Sequence, residues 1–290
     1  MSFFWAALLG IIQGLTEFLP ISSTAHLTIA GKLLGLVTPD HAESWTAFIA
    51  VMQLGTMVAV MVYFWNDLIG ILKGLLRDLS TGAAERREHG WSTESRLALA
   101  IVLGTIPVGV VGFFFRHQIE GTLTKSIPVI IGSLVGLAAL LWFAEKIARH
   151  ERTITHVGWL DAIIVGCAQA LALIPGSSRS GTTITASLFL GFTREAAARF
   201  SFLLSVPAVL ASGIFELYKI AGMVQAGSVV FHFGIPSLVI ATIVSGISGY
   251  AAIAWLLKYL IKHTTMVFVW YRIALGIALT LLLMAGLIQP

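Results

Sequence analysis

Charge is what this chain most lacks. Only 11% of its 290 residues are Asp, Glu, Lys or Arg, where a soluble domain carries about a quarter. Hydrophobic residues make up 57% and the mean hydropathy is +0.91, so the chain reads as an integral membrane protein. Cysteine is nearly missing: Cys167 stands alone, which excludes an internal disulfide and a cysteine-rich metal site. No Lys or Arg precedes Lys32, so a cleaved signal peptide with a charged leading region is not expected. The N-terminus reads as part of the mature fold. The apolar runs are of helical length, which excludes a barrel. The net charge of +4 and pI near 9.4 do not point to nucleic acid, because the basic residues sit in loops beside apolar runs.

What the chain does have is a series of those runs. Residues 44–64, 94–115, 127–147, 194–220, 236–262 and 267–288 are each long enough to cross a bilayer, which takes about 20 residues. Residues 3–19 and 25–36 are apolar but short, and flank the polar break Pro20-Ile21-Ser22-Ser23-Thr24. Residues 159–174 and 181–192 repeat that arrangement around Pro175–Thr183. Two short arms around a polar break predict a re-entrant hairpin, entering and leaving on one side. Residues 67–79 are amphipathic and are placed on the membrane surface. Residues 81–91 read as a loop, and 148–157 as a linker between halves. The expected architecture is all-α: six transmembrane helices and two re-entrant hairpins.

The halves, 1–147 and 158–290, resemble each other. Gly10-x-x-Gln13-x-Leu15 recurs as Gly166-x-x-Gln169-x-Leu171, an offset of 156. Pro20-x-Ser22-Ser23 recurs as Pro175-x-Ser177-Ser178, an offset of 155. Three spans per half is odd, so the second repeat is expected to be inverted. Lys73, Arg77, Arg86, Arg87, Arg96, Lys146, Arg149, Arg152, Arg194, Lys258, Lys262 and Arg272 fall on one side of that topology. Only Lys32, Arg116, Lys125 and Lys219 fall on the other. The bias puts the first side in the cytoplasm and both termini outside. The two hairpins, dipping in from opposite faces, would then meet near the midplane.

The second loop has the chemistry of an anion site. Pro175 ends the preceding helix, and Gly176 and Gly181 permit tight backbone geometry. Ser177, Ser178, Ser180, Thr182 and Thr183 offer hydroxyls, and some can cap the helix that follows. Backbone N–H groups at such a helix start favour anions, and Arg179 adds a charged fork matched to phosphate oxygens. A polar turn at the membrane surface is the plainer reading. The first hairpin supplies Gln13, Glu17, Ser22, Ser23, Thr24 and His26. Gln13 and Glu17 share one helix face, as do Ser23 and His26 if the second arm starts near Ser22. A hydroxyl, an imidazole and a carboxylate then suit nucleophile, base and orienting acid. Capping by Ser22 or Ser23 competes with catalysis, and one residue can do both. A carboxylate such as Glu17 in an apolar hairpin needs a partner, and a salt bridge to Arg179 is its structural explanation. A phosphorylated amphiphile is the natural substrate.

Gln13-x-x-x-Glu17, Pro20-x-Ser22-Ser23-Thr24-x-His26 and Pro175-Gly176-x-Ser178-Arg179-Ser180-x-x-Thr183 together resemble the bacterial undecaprenyl-diphosphate phosphatase, or bacitracin-resistance, family over nearly the whole chain. The resemblance implies hydrolysis of undecaprenyl diphosphate to the monophosphate, recycling the lipid carrier for cell-wall polymers. It implies the bacterial inner membrane and a site open to its outer face. Glu17, Ser23, His26 and Arg179 would be catalytic. Gln13, Ser22, Thr24, Ser178, Ser180 and Thr183 would line the site, with Gly176, Ser177, Gly181 and Thr182 in the same loop. The family is associated with Mg²⁺ or Ca²⁺. Its pattern allows Glu where Gln13 stands, so this chain has one carboxylate fewer. Glu17 and Gln13 are the nearest metal candidates, and no organic cofactor is implied. The rival class is a transporter or flippase of an anionic lipid or solute, since inverted repeats with broken helices also serve transport. Pure anion binding does not need the Ser23, His26 and Glu17 set. Gly132-x-x-x-Gly136 could serve as a helix-packing face, within the chain or in a homodimer.

Overall fold

The computed structural model describes residues 1–37, 42–81, 90–115, 126–225 and 233–288, without the side chains of 42, 43, 219, 220 and 223–225. Among these residues there is no strand, only an isolated bridge between Arg152 and Phe192. The helices run α1 (Phe3–Phe18), α2 (Ser23–Leu33), α3 (Ala42–Tyr63), α4 (Trp65–Ser80), α5 (Thr93–Phe114) and α6 (Ile127–Ile147). They continue as α7 (Trp159–Ala170), α8 (Arg179–Phe189), α9 (Arg194–Gln225), α10 (Ile235–Lys262) and α11 (Met266–Met284). Six of them, α3, α5, α6, α9, α10 and α11, are long and apolar enough to cross a membrane. The chain is a multi-pass membrane protein. These are the six runs expected to span, with ends moved by a few residues at most where the run is fully described. Most of the 81–91 loop, with Arg86, Arg87 and His89, lies outside the described residues, as do Arg116, His117, Lys125 and the Lys219 side chain.

Helix α4 is amphipathic as expected, with Leu72, Leu76 and Leu79 exposed along it. It is tied to the start of α5 by the Ser92 N–H, which donates to Asp78 Oδ2 at 2.7 Å. Bonds from Ser92, then Ser95 and Arg77, hold the Asp78 carboxyl well below the usual carboxylate range. Helices α2 and α8 start at Ser23 and Arg179, two residues ahead of the apolar runs at 25 and 181; for α2 this is the start near Ser22 that sets Ser23 and His26 on one face. The cause is capping. Ser22 accepts the Ala25 N–H at 3.3 Å, and Ser178 accepts that of Gly181 at 3.1 Å. Helix α7 stops at Ala170 and tightens into a 3-10 turn, Leu171–Leu173, ahead of Pro175.

The short helices pack across the chain. Helix α1 lies along α10, and α7 lies along α5. Lipid tails are as apolar as leucine, so such contacts rest on close packing of small residues. A Cβ on Gly10 would sit 2.5 Å from the Ala241 carbonyl oxygen, and one on Gly166 would sit 2.8 Å from Gly104 Cα. Helix α3 packs on α9 and α10, and α6 on α11. Helix α8 is held among α6, α7 and α9, beside a core that includes Phe18, Phe64 and Phe202. The rings of Phe18 and Phe202 meet edge to face at 5.2 Å, joining the end of α1 to α9 just below the polar breaks.

One charged residue sits elsewhere than expected, and two on α9 are buried or paired. Arg272 was counted with the cytoplasmic basic residues; it is instead fully buried, and bonded to backbone of both polar loops. Glu216, on α9, is buried. Arg199, on α9, pairs with Asp67 at 2.9 Å and with Glu195 at 3.7 Å.

Candidate active site

The two polar breaks meet. Each leads into an 11-residue helix through a serine in a left-handed conformation: Ser22 at φ 75° and Ser178 at φ 69°. Non-glycine residues rarely adopt that region, and such strain gathers at functional sites. Ser23 and Arg179 are therefore the first residues of their helices, not loop residues. The caps stand 156 positions apart, the offset of Gly10 and Gly166. The second loop fits two residues between its proline and its cap where the first fits one, and Gly176, at φ +86°, takes up the difference.

Glu17 is the hub. Its Oε1 accepts Arg179 Nη2, 162 positions away in the chain, at 2.7 Å. Its Oε2 accepts the Ser23 hydroxyl at 2.6 Å and Gln13 Nε2 at 2.9 Å. The Glu17 and Arg179 side chains are 5% and 15% exposed, so the pair is mostly withdrawn from solvent. Arg179 also reaches the Ser205 carbonyl at 3.5 Å, and Ser180 donates to the Leu19 carbonyl at 3.0 Å. The salt bridge expected as the structural explanation of Glu17 is present, and it carries Ser23 with it.

The order hydroxyl, imidazole, carboxylate is not the order formed. Ser23 donates directly to Glu17, and Glu17 does not orient His26. Instead, His26 Nδ1 lies 2.7 Å from the Ser22 carbonyl, which can only accept, so Nδ1 carries the proton. His26 Nε2 lies 2.6 Å from the Tyr271 hydroxyl, and the rings stack at 5.6 Å. A neutral His26 accepts from Tyr271 there.

Not every expected residue joins this cluster. The hydroxyls of Thr182 and Thr183 turn back to the Arg179 carbonyl at 3.0 and 2.7 Å. Thr183 also meets Ser201 at 2.6 Å, tying α8 to α9. Ser178 and Gly181 are joined to each other by the cap, and Ser178 meets Ser180 Oγ at 3.1 Å. Ser177 is buried and Thr24 half-buried, and none of the bonds around Glu17 reaches them. Two residues were missed: Tyr271 and Arg272, side by side on α11. An arginine six residues inside an apolar span was the available signal.

The residues present do not fit a protein-held Mg²⁺ or Ca²⁺. Both Glu17 oxygens are engaged by cationic or neutral donors, and the Arg179 charge beside them opposes a second cation. Gln13 Oε1 is buried and unpartnered among the described residues, but it is a single neutral donor. Among those residues no three His, Cys, Asp or Glu side chains gather.

The chain matches the family model described as bacitracin resistance protein BacA over residues 6–278. It is 52% identical over 272 residues to an undecaprenyl-diphosphatase of Syntrophobacter fumaroxidans, covering 94% of each chain. It is 48% identical to one of Chlorobium phaeovibrioides, covering 100% of both. With one of Myxococcus xanthus it shares 47% identity, over 100% of this chain and 92% of that one.

Proposed function

Since the chain belongs to the bacitracin resistance protein BacA family, we propose that it hydrolyses undecaprenyl diphosphate to undecaprenyl phosphate and inorganic phosphate, recycling the lipid carrier for cell-wall polymers and so conferring bacitracin resistance. The observation that carries the site is the contact of Glu17 with both Ser23 and Arg179, at 2.6 and 2.7 Å, inside an apolar fold. It brings the Ser23 hydroxyl and the Arg179 guanidinium onto one carboxylate, which supports reading Glu17 as the base between a nucleophile and a phosphate-binding cation. No specific contact favours transport over this chemistry.

In this reading Arg179 and the first N–H groups of α8 hold the diphosphate and neutralise charge on the transferring phosphoryl group. Ser23 Oγ attacks the terminal phosphorus as its proton passes to Glu17 Oε2. The bridging P–O bond breaks, and undecaprenyl phosphate leaves. Water then cleaves the phosphoserine, releasing inorganic phosphate and restoring Ser23. His26, held by Ser22 and Tyr271, stands beside this exchange as the group able to pass a proton. Direct attack by water with Glu17 as base uses the same contacts, and a phosphorylated Ser23 distinguishes the two.

The frame fits an inverted repeat of 1–147 and 158–290 with two re-entrant hairpins. It is supported by the matched caps Ser22 and Ser178, and by the reciprocal packing of α1 on α10 and α7 on α5. Helices α1 and α7, at 16 and 12 residues, are too short to cross. We place the chain in the bacterial inner membrane with the site open to the outer face, as the family implies, and with both termini outside, following the basic-residue bias. A Cβ on Gly132 or Gly136 would meet nothing within 4 Å among the described residues, and that open face of α6 suits a second copy.

The test is to supply undecaprenyl diphosphate to the purified chain in detergent and identify the lipid product. Undecaprenyl phosphate with one equivalent of inorganic phosphate is expected. Unchanged diphosphate from a folded protein would contradict the reading.

A further inference from the structure

Arg272 is the charged side chain that the reading above leaves unused. It lies inside α11, is fully buried, and pairs with no carboxylate among the described residues. Its bonds go to backbone carbonyls only: Nε to Leu134 at 3.1 Å, Nη1 to Pro20 at 3.2 Å, and Nη2 to Ser133 at 3.1 Å and Gly176 at 3.0 Å. Leu134 and Ser133 belong to α6. Pro20 and Gly176 belong one to each polar loop, and each stands two residues ahead of its capping serine. The guanidinium thus grips the same place in both loops.

Two consequences follow from that geometry. A guanidinium is planar, with donors in fixed directions, so the carbonyls it bridges are held at a set separation. Loop two is further seated on α6 by the Ser133 hydroxyl, which donates to the Pro175 carbonyl. The second consequence is electrostatic. Buried charges are ordinarily paired, yet this one is met by dipoles alone. Glu17 and Arg179 neutralise each other. Arg272 therefore leaves the site with a net positive charge, and a diphosphate supplies the missing counter-charge.

We propose that Arg272 is a positioning residue: it clamps the two loops so that Ser23 and Arg179 face one phosphoryl group, and its unpaired charge makes the assembled site select a diphosphate. This rests on the phosphatase reading. The sequence reading had placed Arg272 in a cytoplasmic flank, where it would do neither.

The experiment uses the full chain in detergent as wild type, Arg272→Lys and Arg272→Met. Turnover of undecaprenyl diphosphate, competition by inorganic pyrophosphate and thermal unfolding are measured on each. Lysine keeps the charge but cannot span four carbonyls, so kcat falls at least about tenfold while pyrophosphate inhibition stays within about threefold of wild type. Methionine keeps the length without charge or donors, so kcat falls and the pyrophosphate inhibition constant rises at least about tenfold. A folded variant of either kind with wild-type kcat and wild-type inhibition overturns the proposal. So does failure of both to fold, which would assign Arg272 to the fold alone. A wild type without turnover sinks the phosphatase reading instead, and pyrophosphate binding by wild type and Arg272→Met then decides the charge claim by itself.

Discussion

Glu17 and Arg179 stand 162 positions apart in the chain and meet at 2.7 Å. One ends the first short helix and the other starts the last. Neither side chain has a reason to be in an apolar interior without the other, and Ser23 sits on the same carboxylate.

The pair is coupled in stability as well as in chemistry. Glu17→Ala and Arg179→Ala each strand a buried charge, which costs on the order of 3–5 kcal/mol. The double variant strands neither, so its loss is expected to be smaller than the sum of the two. Thermal unfolding of the three variants in detergent reads this directly, and strict additivity would contradict it.

Ser23→Ala removes the proposed nucleophile and leaves Glu17, Gln13 and Arg179 in contact. Turnover is expected to fall about 10³-fold or more. Acid-quenched wild type should carry phosphate on Ser23 during turnover. Near-wild-type activity in Ser23→Ala would hand the attack to water.

Tyr271→Phe takes away the hydroxyl 2.6 Å from His26 Nε2 but keeps the stacked ring. Losing one such bond is worth about 1 kcal/mol, so a several-fold fall in kcat is expected. The imidazole also gains an open nitrogen, so the pH–rate profile should move with it. An unmoved profile with unchanged kcat would remove His26 from the proton path.

Ser178 holds a left-handed conformation at φ 69°. Glycine accepts that conformation freely and is a tolerable cap, so Ser178→Gly should change stability by only a few tenths of a kcal/mol. Ser178→Val places a β-branched residue there and should cost about 1–3 kcal/mol. Denaturation in detergent separates them, and equal stabilities would mean the backbone relaxes.

Gln13 leaves the site with a single carboxylate beside Arg179. Gln13→Glu should therefore make turnover more dependent on added Mg²⁺ or Ca²⁺ than it is in the native chain. Activity with and without chelator measures this. An identical chelator response in both would show that position 13 does not set the metal demand.

The spans were legible because length and apolarity decide them, as in α6, whose bounds Ile127–Ile147 follow from the sequence alone. The site residues on the two loops were legible because charge is too costly in such runs to lack a role. The internal order of the site was not. Spacing places Ser23 and His26 on one face, but it does not show that Ser23 turns to Glu17 while His26 turns to Tyr271, which is 245 positions away. The helix starts at Ser23 and Arg179 run two residues ahead of the apolar runs for a local reason: a serine cap in a left-handed conformation leaves no mark in apolar periodicity. Arg272 was hidden by its position near the start of α11, where a basic residue also suits a membrane flank.

Phosphate release from undecaprenyl diphosphate by wild type, Glu17→Gln and Arg179→Ala, each purified and verified as folded, tests the central claim that one site is assembled from both loops. Turnover in wild type with a loss of about 10²–10³-fold in each variant is the predicted result. Wild-type turnover in either folded variant would show that the two loops do not act on one phosphoryl group.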